Sequence, residues 1–126
     1  MKKNKNKGIE VTLLQEGILH IHLKEHTEIT LNDAALALEK MGEISKGKKL
    51  PVFIDAGEFC TIDSEARIFS ASEENNIYTL AEAIAYSHLG QKLIANFYLN
   101  QNNPTVLTKV FSEKKDAITW LKTFLK

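Results

Sequence analysis

Leu50-Pro51-Val52-Phe53-Ile54-Asp55 is a short apolar run of β-branched and aromatic residues, with its proline at the start, where a strand tolerates one, and not in the middle. This reads as a buried, central strand. Toward the N-terminus, Thr30-Leu31-Asn32-Asp33 places a capping hydroxyl three residues before a carboxylate. Leu31, Ala34, Ala35, Leu38 and Met41 follow at helical spacing, which predicts a helix from about Leu31 to about Ser45, with Gly47 at its exit. Before it, Ile9, Val11 and Leu13 alternate with polar residues. After Gln15-Glu16-Gly17, Leu19, Ile21 and Leu23 do the same, which is the pattern of a β-hairpin. Toward the C-terminus, Asp63 or Ser64 caps a second helix that carries Ala66 and Phe69 inward and fades by Glu73.

The segment Ile77 to Tyr86 fits a helix by propensity and a strand by parity. Helices covering a sheet alternate with the strands they connect, so a strand over Thr79–Tyr86 is expected. Ser87 is expected to cap a third helix with Leu89, Leu93, Ile94, Phe97 and Tyr98 as its apolar stripe, ended by Asn100 to Pro104. Val106 to Phe111 alternates as a last strand. Ser112 then opens a terminal helix that turns Ala117, Trp120, Leu121, Phe124 and Leu125 to the core. The expected architecture is a single α/β domain over residues 9–126, an N-terminal hairpin followed by alternating helices and strands of a mostly parallel sheet, after a flexible basic start over residues 1–8.

Composition narrows the function. The chain has 126 residues, 44% of them apolar, enough to bury one compact core. Sixteen basic residues against sixteen acidic ones leave no surplus for gripping phosphate chains, so a nucleic-acid module is disfavoured. No apolar run approaches the roughly 18 residues of a membrane span, and the one cysteine, Cys60, can form no internal disulfide, so a cytoplasmic setting is expected. Charge is nonetheless segregated. Residues 55 to 82 hold Asp55, Glu58, Asp63, Glu65, Glu73, Glu74 and Glu82 against Arg67 alone, a stretch that would prefer a basic partner.

The sequence resembles the STAS-type domains typified by the anti-sigma-factor antagonists, and in particular their SpoIIAA-like (STAS/SEC14-like) offshoot. Val52-Phe53-Ile54-Asp55 with Ile62-Asp63-Ser64 is similar to the family's strand, loop and Asp-Ser helix start. Lys109-Val110-Phe111-Ser112 through Ala117-Ile118-Thr119-Trp120-Leu121 is similar to the offshoot's closing strand and helix. The resemblance implies a non-catalytic regulatory module that binds another protein, possible homodimerisation, and a switch at Ser64, the position of the antagonists' phosphorylated serine. Glu65 and Ala66 stand where the antagonists carry a small hydroxyl residue and glycine.

On physical grounds, phosphate at a helix start gains from free amides but is repelled by neighbouring carboxylates unless a cation answers it. Ser64, Asp63, Asp55, Glu58, Thr61 and Arg67 are therefore the candidate partner or switch residues. His20 and His22, two apart on one strand, are the one pair at metal-sharing spacing; they lack a supporting carboxylate or cysteine nearby in sequence, and half-exposed strand histidines are the plainer reading. No metal or cofactor is expected. Cys60, His88 and Asp55 have no spacing that unites them as a catalytic group, and no phosphate-gripping glycine loop occurs. Two alternatives stay open: a carrier or sensor of a small apolar or lipid-like ligand, with Phe97, Tyr98, Trp120 and Phe124 as possible walls, and an enzyme of unassigned chemistry.

Overall fold

The computed structural model describes residues 8–125. Strands β1 (Ile9–Leu13) and β2 (Leu19–Leu23) form the expected antiparallel hairpin. Its turn closes through the Gly17 amide, which donates to the Leu14 carbonyl at 2.9 Å, and Gly17 takes the left-handed φ of 92° that the turn requires. A two-residue strand β3 (Glu28–Ile29) precedes helix α1 (Leu31–Ser45). The Thr30 side chain accepts the Asp33 amide, and the Asp33 carboxylate accepts the Thr30 amide at 3.0 Å, so the reciprocal cap read from the sequence is in place. Helix α1 ends with Lys46 and then Gly47 in left-handed conformations, φ 58° and 81°.

Strand β4 (Leu50–Ala56) follows, then the short β5 (Thr61–Ile62), which pairs with β3 in a separate two-stranded ladder that the sequence did not announce. Helix α2 (Ser64–Ala71) is capped by Asp63, whose Oδ1 accepts the Ala66 amide at 2.8 Å. A 3₁₀ turn at Glu73–Asn75 leads to β6 (Thr79–Ala85), so the segment ambiguous in sequence is a strand. Helix α3 (Leu89–Phe97) passes into a π-helical turn at Tyr98–Asn102, then β7 (Thr108–Phe111) and helix α4 (Lys114–Lys122) complete the chain.

The main sheet has the order β1-β2-β4-β6-β7, with every pair after the hairpin parallel. The stretch from Pro51 is thus the middle strand, and Val52 and Phe53 are each 1% exposed. Because β2, β4, β6 and β7 succeed one another in one direction, right-handed crossovers put α1, α2 and α3 on one face, called the front, and leave α4 on the back. The two cores agree. Leu19, Val52, Ala34, Met41 and Ala66 pack in front, and Phe53, Ala81, Ala83, Ala117 and Leu121 pack behind.

Several local expectations need correction. In α3, Leu89, Leu93 and Phe97 are 71%, 60% and 47% exposed, while Ala95 and Tyr98 are buried. The helix is apolar on two sides, so periodicity could not say which side faces in. Ser87 does not cap it: the Ser87 amide and hydroxyl donate to Gln91 Oε1 at 2.8 and 3.2 Å, and His88 stands at the cap without a side-chain capping bond. Glu113, not Ser112, occupies the cap of α4, and β7 begins at Thr108, after a turn in which Thr108 Oγ1 donates to the Val106 carbonyl. Phe97 and Tyr98 lie in front, whereas Trp120 packs behind against Phe111 and Phe124, at ring distances of 5.7 and 5.0 Å, so the four aromatics cannot wall one pocket. Of the flexible start expected over residues 1–8, residues 1–7 lie outside the described residues; Gly8 is buried, and its carbonyl accepts the Lys24 amide at 2.9 Å.

Candidate functional site

Between the front of the sheet and its helices lies a cavity of about 160 Å³. Val52, Ile54 and Ile84 form its floor, and Ala37, Met41 and Ala95 contribute to its roof. The space exists because α1 and α3 present alanines there, where longer aliphatic side chains would reach the sheet.

Glu82 lines this cavity. Strand β6 places it in front, in register with Val52 of β4 and Thr108 of β7, and it is 6% exposed. Its Oε1 is buried without a hydrogen-bond partner. Loss of water around the carboxylate pushes the carboxyl up from 4.5 to about 7, an effect that a hydrogen bond with the Thr108 side chain only partly opposes. Tyr98, also lining the cavity, is held far above its ordinary value, first by burial and then by the nearby Glu82 charge. The Cys60 thiol is pushed up by burial to about 11. Arg67 is the fourth charged or titratable group at the cavity, but Nη1 donates to the Ile62 carbonyl at 2.7 Å, Nε donates to Asn102 Oδ1 at 3.2 Å, and the guanidinium lies over the Phe97 ring. It ties α2 to the π-helical turn and α3.

Apart from Arg67 and Cys60 at the cavity, the residues singled out from sequence fall into three places. Ser64 is exposed at the start of α2, beside its cap Asp63 and near Thr61, whose amide donates to the Thr27 carbonyl. Glu58 reaches away from them to His88, 3.0 Å off, at the head of α3. Asp55 is on the back of the sheet: its Oδ1 lies 2.8 Å from His20 Nε2 and 3.1 Å from His22 Nδ1. The six proposed switch residues are therefore not one cluster, because successive side chains of β4 alternate between faces and Asp55 shares the side of Phe53. The supporting carboxylate that sequence spacing did not supply to His20 and His22 comes from β4, two strands away from the hairpin edge. Among the described residues no group of three or more His, Cys, Asp or Glu side chains has the arrangement to hold a metal ion.

Glu82 is the site residue that sequence reasoning missed. It was counted in the acidic stretch, yet one signal was present: once Thr79–Ala85 is a strand, Glu82 shares parity with Ile84 on the covered face, where a lone charge is out of place.

This sheet order, with three crossover helices in front and the terminal helix behind, defines a SpoIIAA-like α/β domain. An uncharacterised protein of the DUF3478 family with a SpoIIAA-like fold from Shewanella loihica PV-4 shares it, at a TM-score of 0.58 and 18% identity over 90% of this chain and 91% of that one. Within that class, the chain belongs to the family described as a domain of unknown function, DUF7793, which it matches over residues 12–125. A protein of unknown function from Arthrobacter sp. FB24 aligns at 22% identity over 89% of this chain and 97% of that one, with a TM-score of 0.32. No functionally curated protein matches. Among the described residues no helix is long and apolar enough to cross a membrane.

Proposed function

We propose that this protein is a non-catalytic binding module whose front cavity takes up a small, mostly apolar molecule, as its carrier or sensor. The observation that carries this reading is the cavity of about 160 Å³ beside a buried, incompletely bonded acid. An apolar cavity of about 150 Å³ is large enough for benzene, and a ligand that binds only the folded state raises stability as its concentration exceeds its dissociation constant. The non-catalytic part rests on chemistry. Glu82, at about 7, has the titration of a general acid–base, but among the described residues lining the cavity no activated nucleophile accompanies it: burial keeps Cys60 protonated, and Arg67 is engaged elsewhere. The test is thermal unfolding with toluene or indole, comparing wild type with Ala95→Leu, which fills part of the cavity. A ligand-dependent rise in Tm that the variant loses supports the reading; no rise with either ligand contradicts it.

A second reading, regulation through a protein partner at the α2–α3 side, is favoured by the exposed row Leu89, Leu93 and Phe97 on α3 and by exposed Ile68 on α2. Glu58 is held at the head of that row by His88, and exposed Ser64 and Glu65 open α2, so the partner would be amphipathic and basic. Ser64 is the proposed switch of this contact. Binding of a lysine-rich amphipathic helical peptide, weakened by Leu93→Ser and altered by Ser64→Asp, supports it; binding indifferent to both changes contradicts it. The proposed homodimer would use the same face, and sedimentation of wild type against Leu93→Ser tests that.

A further inference from the structure

The cavity contains a charge problem that its own residues leave unsolved. Glu82 is buried with Oε1 unpartnered, and the only cationic side chain lining the cavity among the described residues, Arg67, gives Nη1 and Nε to Ile62 and Asn102. The side chains tied to Glu82, Thr108 on β7 and Tyr98 on the π-helical turn, are neutral, and so are the other polar or titratable groups lining the cavity, among them Gln91 on α3, Cys60 before β5 and Asn76 before β6. Thr108 brings the carboxyl a hydroxyl but no charge, and that hydroxyl also lies in donating geometry to the Val106 carbonyl. A carboxylate here lacks a counter-charge.

We infer that Glu82 makes the cavity selective for a benzene-sized apolar molecule bearing a protonated amine, the ammonium donating to Glu82 Oε1. This rests on the cavity reading proposed above and adds the class of ligand. Three chemistries could meet a buried carboxyl. A ligand carboxylate would set like charges together and is excluded. A hydroxyl would satisfy Oε1 but leave the charge unanswered. An ammonium supplies both the donor and the missing charge, and charge-assisted hydrogen bonds are the stronger kind. Burying an ion pair is costly when both ions must leave water. Here one of them has already left it in folding, so of the two dehydrations only the ammonium's remains to oppose binding.

Proton linkage gives the inference a second signature. An ammonium ligand favours the ionised form of Glu82, so its binding weakens as pH falls through the carboxyl's titration near about 7. Toluene and benzyl alcohol have no such requirement.

The experiment titrates the folded protein with benzylamine, benzyl alcohol and toluene by NMR, at about pH 8 and about pH 6, limits chosen to bracket that titration. At the higher pH benzylamine is expected to bind at least about tenfold tighter than benzyl alcohol, and to lose about tenfold at the lower pH, as the ionised fraction falls. Glu82→Gln is expected to abolish the amine preference and its pH dependence while toluene still binds. If toluene and benzyl alcohol bind and benzylamine binds no better, the amine inference is overturned and the cavity reading stands. If none of the three binds, both fall. Should Glu82→Gln fail to fold, the wild-type pH series and the alcohol-to-amine comparison decide the question alone.

Discussion

Replacing Glu82 with glutamine should stabilise the protein, and by an amount that depends on pH. In the folded state burial lifts the Glu82 carboxyl from 4.5 to about 7, so between those values the folded chain holds a proton that the unfolded chain has released. Stability from this group is therefore fully present below about pH 4.5 and is lost as pH rises through about 7. Because Glu82 is fully buried, no solvent screening reduces the effect, and a displacement from 4.5 to about 7 corresponds to on the order of 3 kcal/mol. A domain of this size typically has about 5–15 kcal/mol in total, so the change is large. Glutamine keeps the shape and cannot ionise. Urea unfolding followed by far-UV circular dichroism should show the midpoint of Glu82→Gln about 1–2 M above wild type at about pH 8, converging on it near about pH 5. A midpoint difference that stays the same across this range, or a variant weaker than wild type at the higher pH, would refute the reasoning.

Phe53→Ala empties the centre of the rear core, where Phe53 is 1% exposed between Ala81, Ala83 and Leu121, and should cost about 3–5 kcal/mol in urea unfolding. Thr30→Ala removes one half of the reciprocal cap on α1 and should cost about 1 kcal/mol, measured the same way, without changing the fold reported by circular dichroism. Cys60, pushed by burial from 9.0 to about 11, should react with a thiol-specific disulfide reagent on the order of a hundredfold more slowly than an unperturbed thiol, and at the ordinary rate once urea unfolds the chain.

The sheet is legible in the sequence because every strand of it except β6 carries its own signal. Pro51 marks the start of β4, the hairpin alternates on both arms, and the reciprocal Thr30–Asp33 pair fixes the start of α1. The segment Thr79–Ala85, undecidable by propensity, was settled by the alternation of helices and strands around a covered sheet. What stayed illegible was orientation about an axis. Helix α3 has apolar residues on opposite sides, and only packing shows that Ile94, Ala95 and Tyr98 meet the cavity while Leu89 and Leu93 do not. The site was hidden for a related reason. A cavity is made by what alanines do not fill, at positions far apart in the chain, and Glu82 looks like any surface acid until the strand places it on the inner face. The bridge from Asp55 to His20 and His22 likewise depends on the register of β2 against β4, which no local pattern encodes.

The proposed function requires a binding space at Glu82 on the front of the sheet. An NMR titration of the labelled protein with toluene tests it most directly. Saturable shifts are expected at the amides of Ala37, Glu82 and Ala95, whose residues line that space from the helices and the sheet. Shifts confined to Leu89, Leu93 and Phe97 on the outer row of α3, or no saturable shift at any concentration, would contradict it.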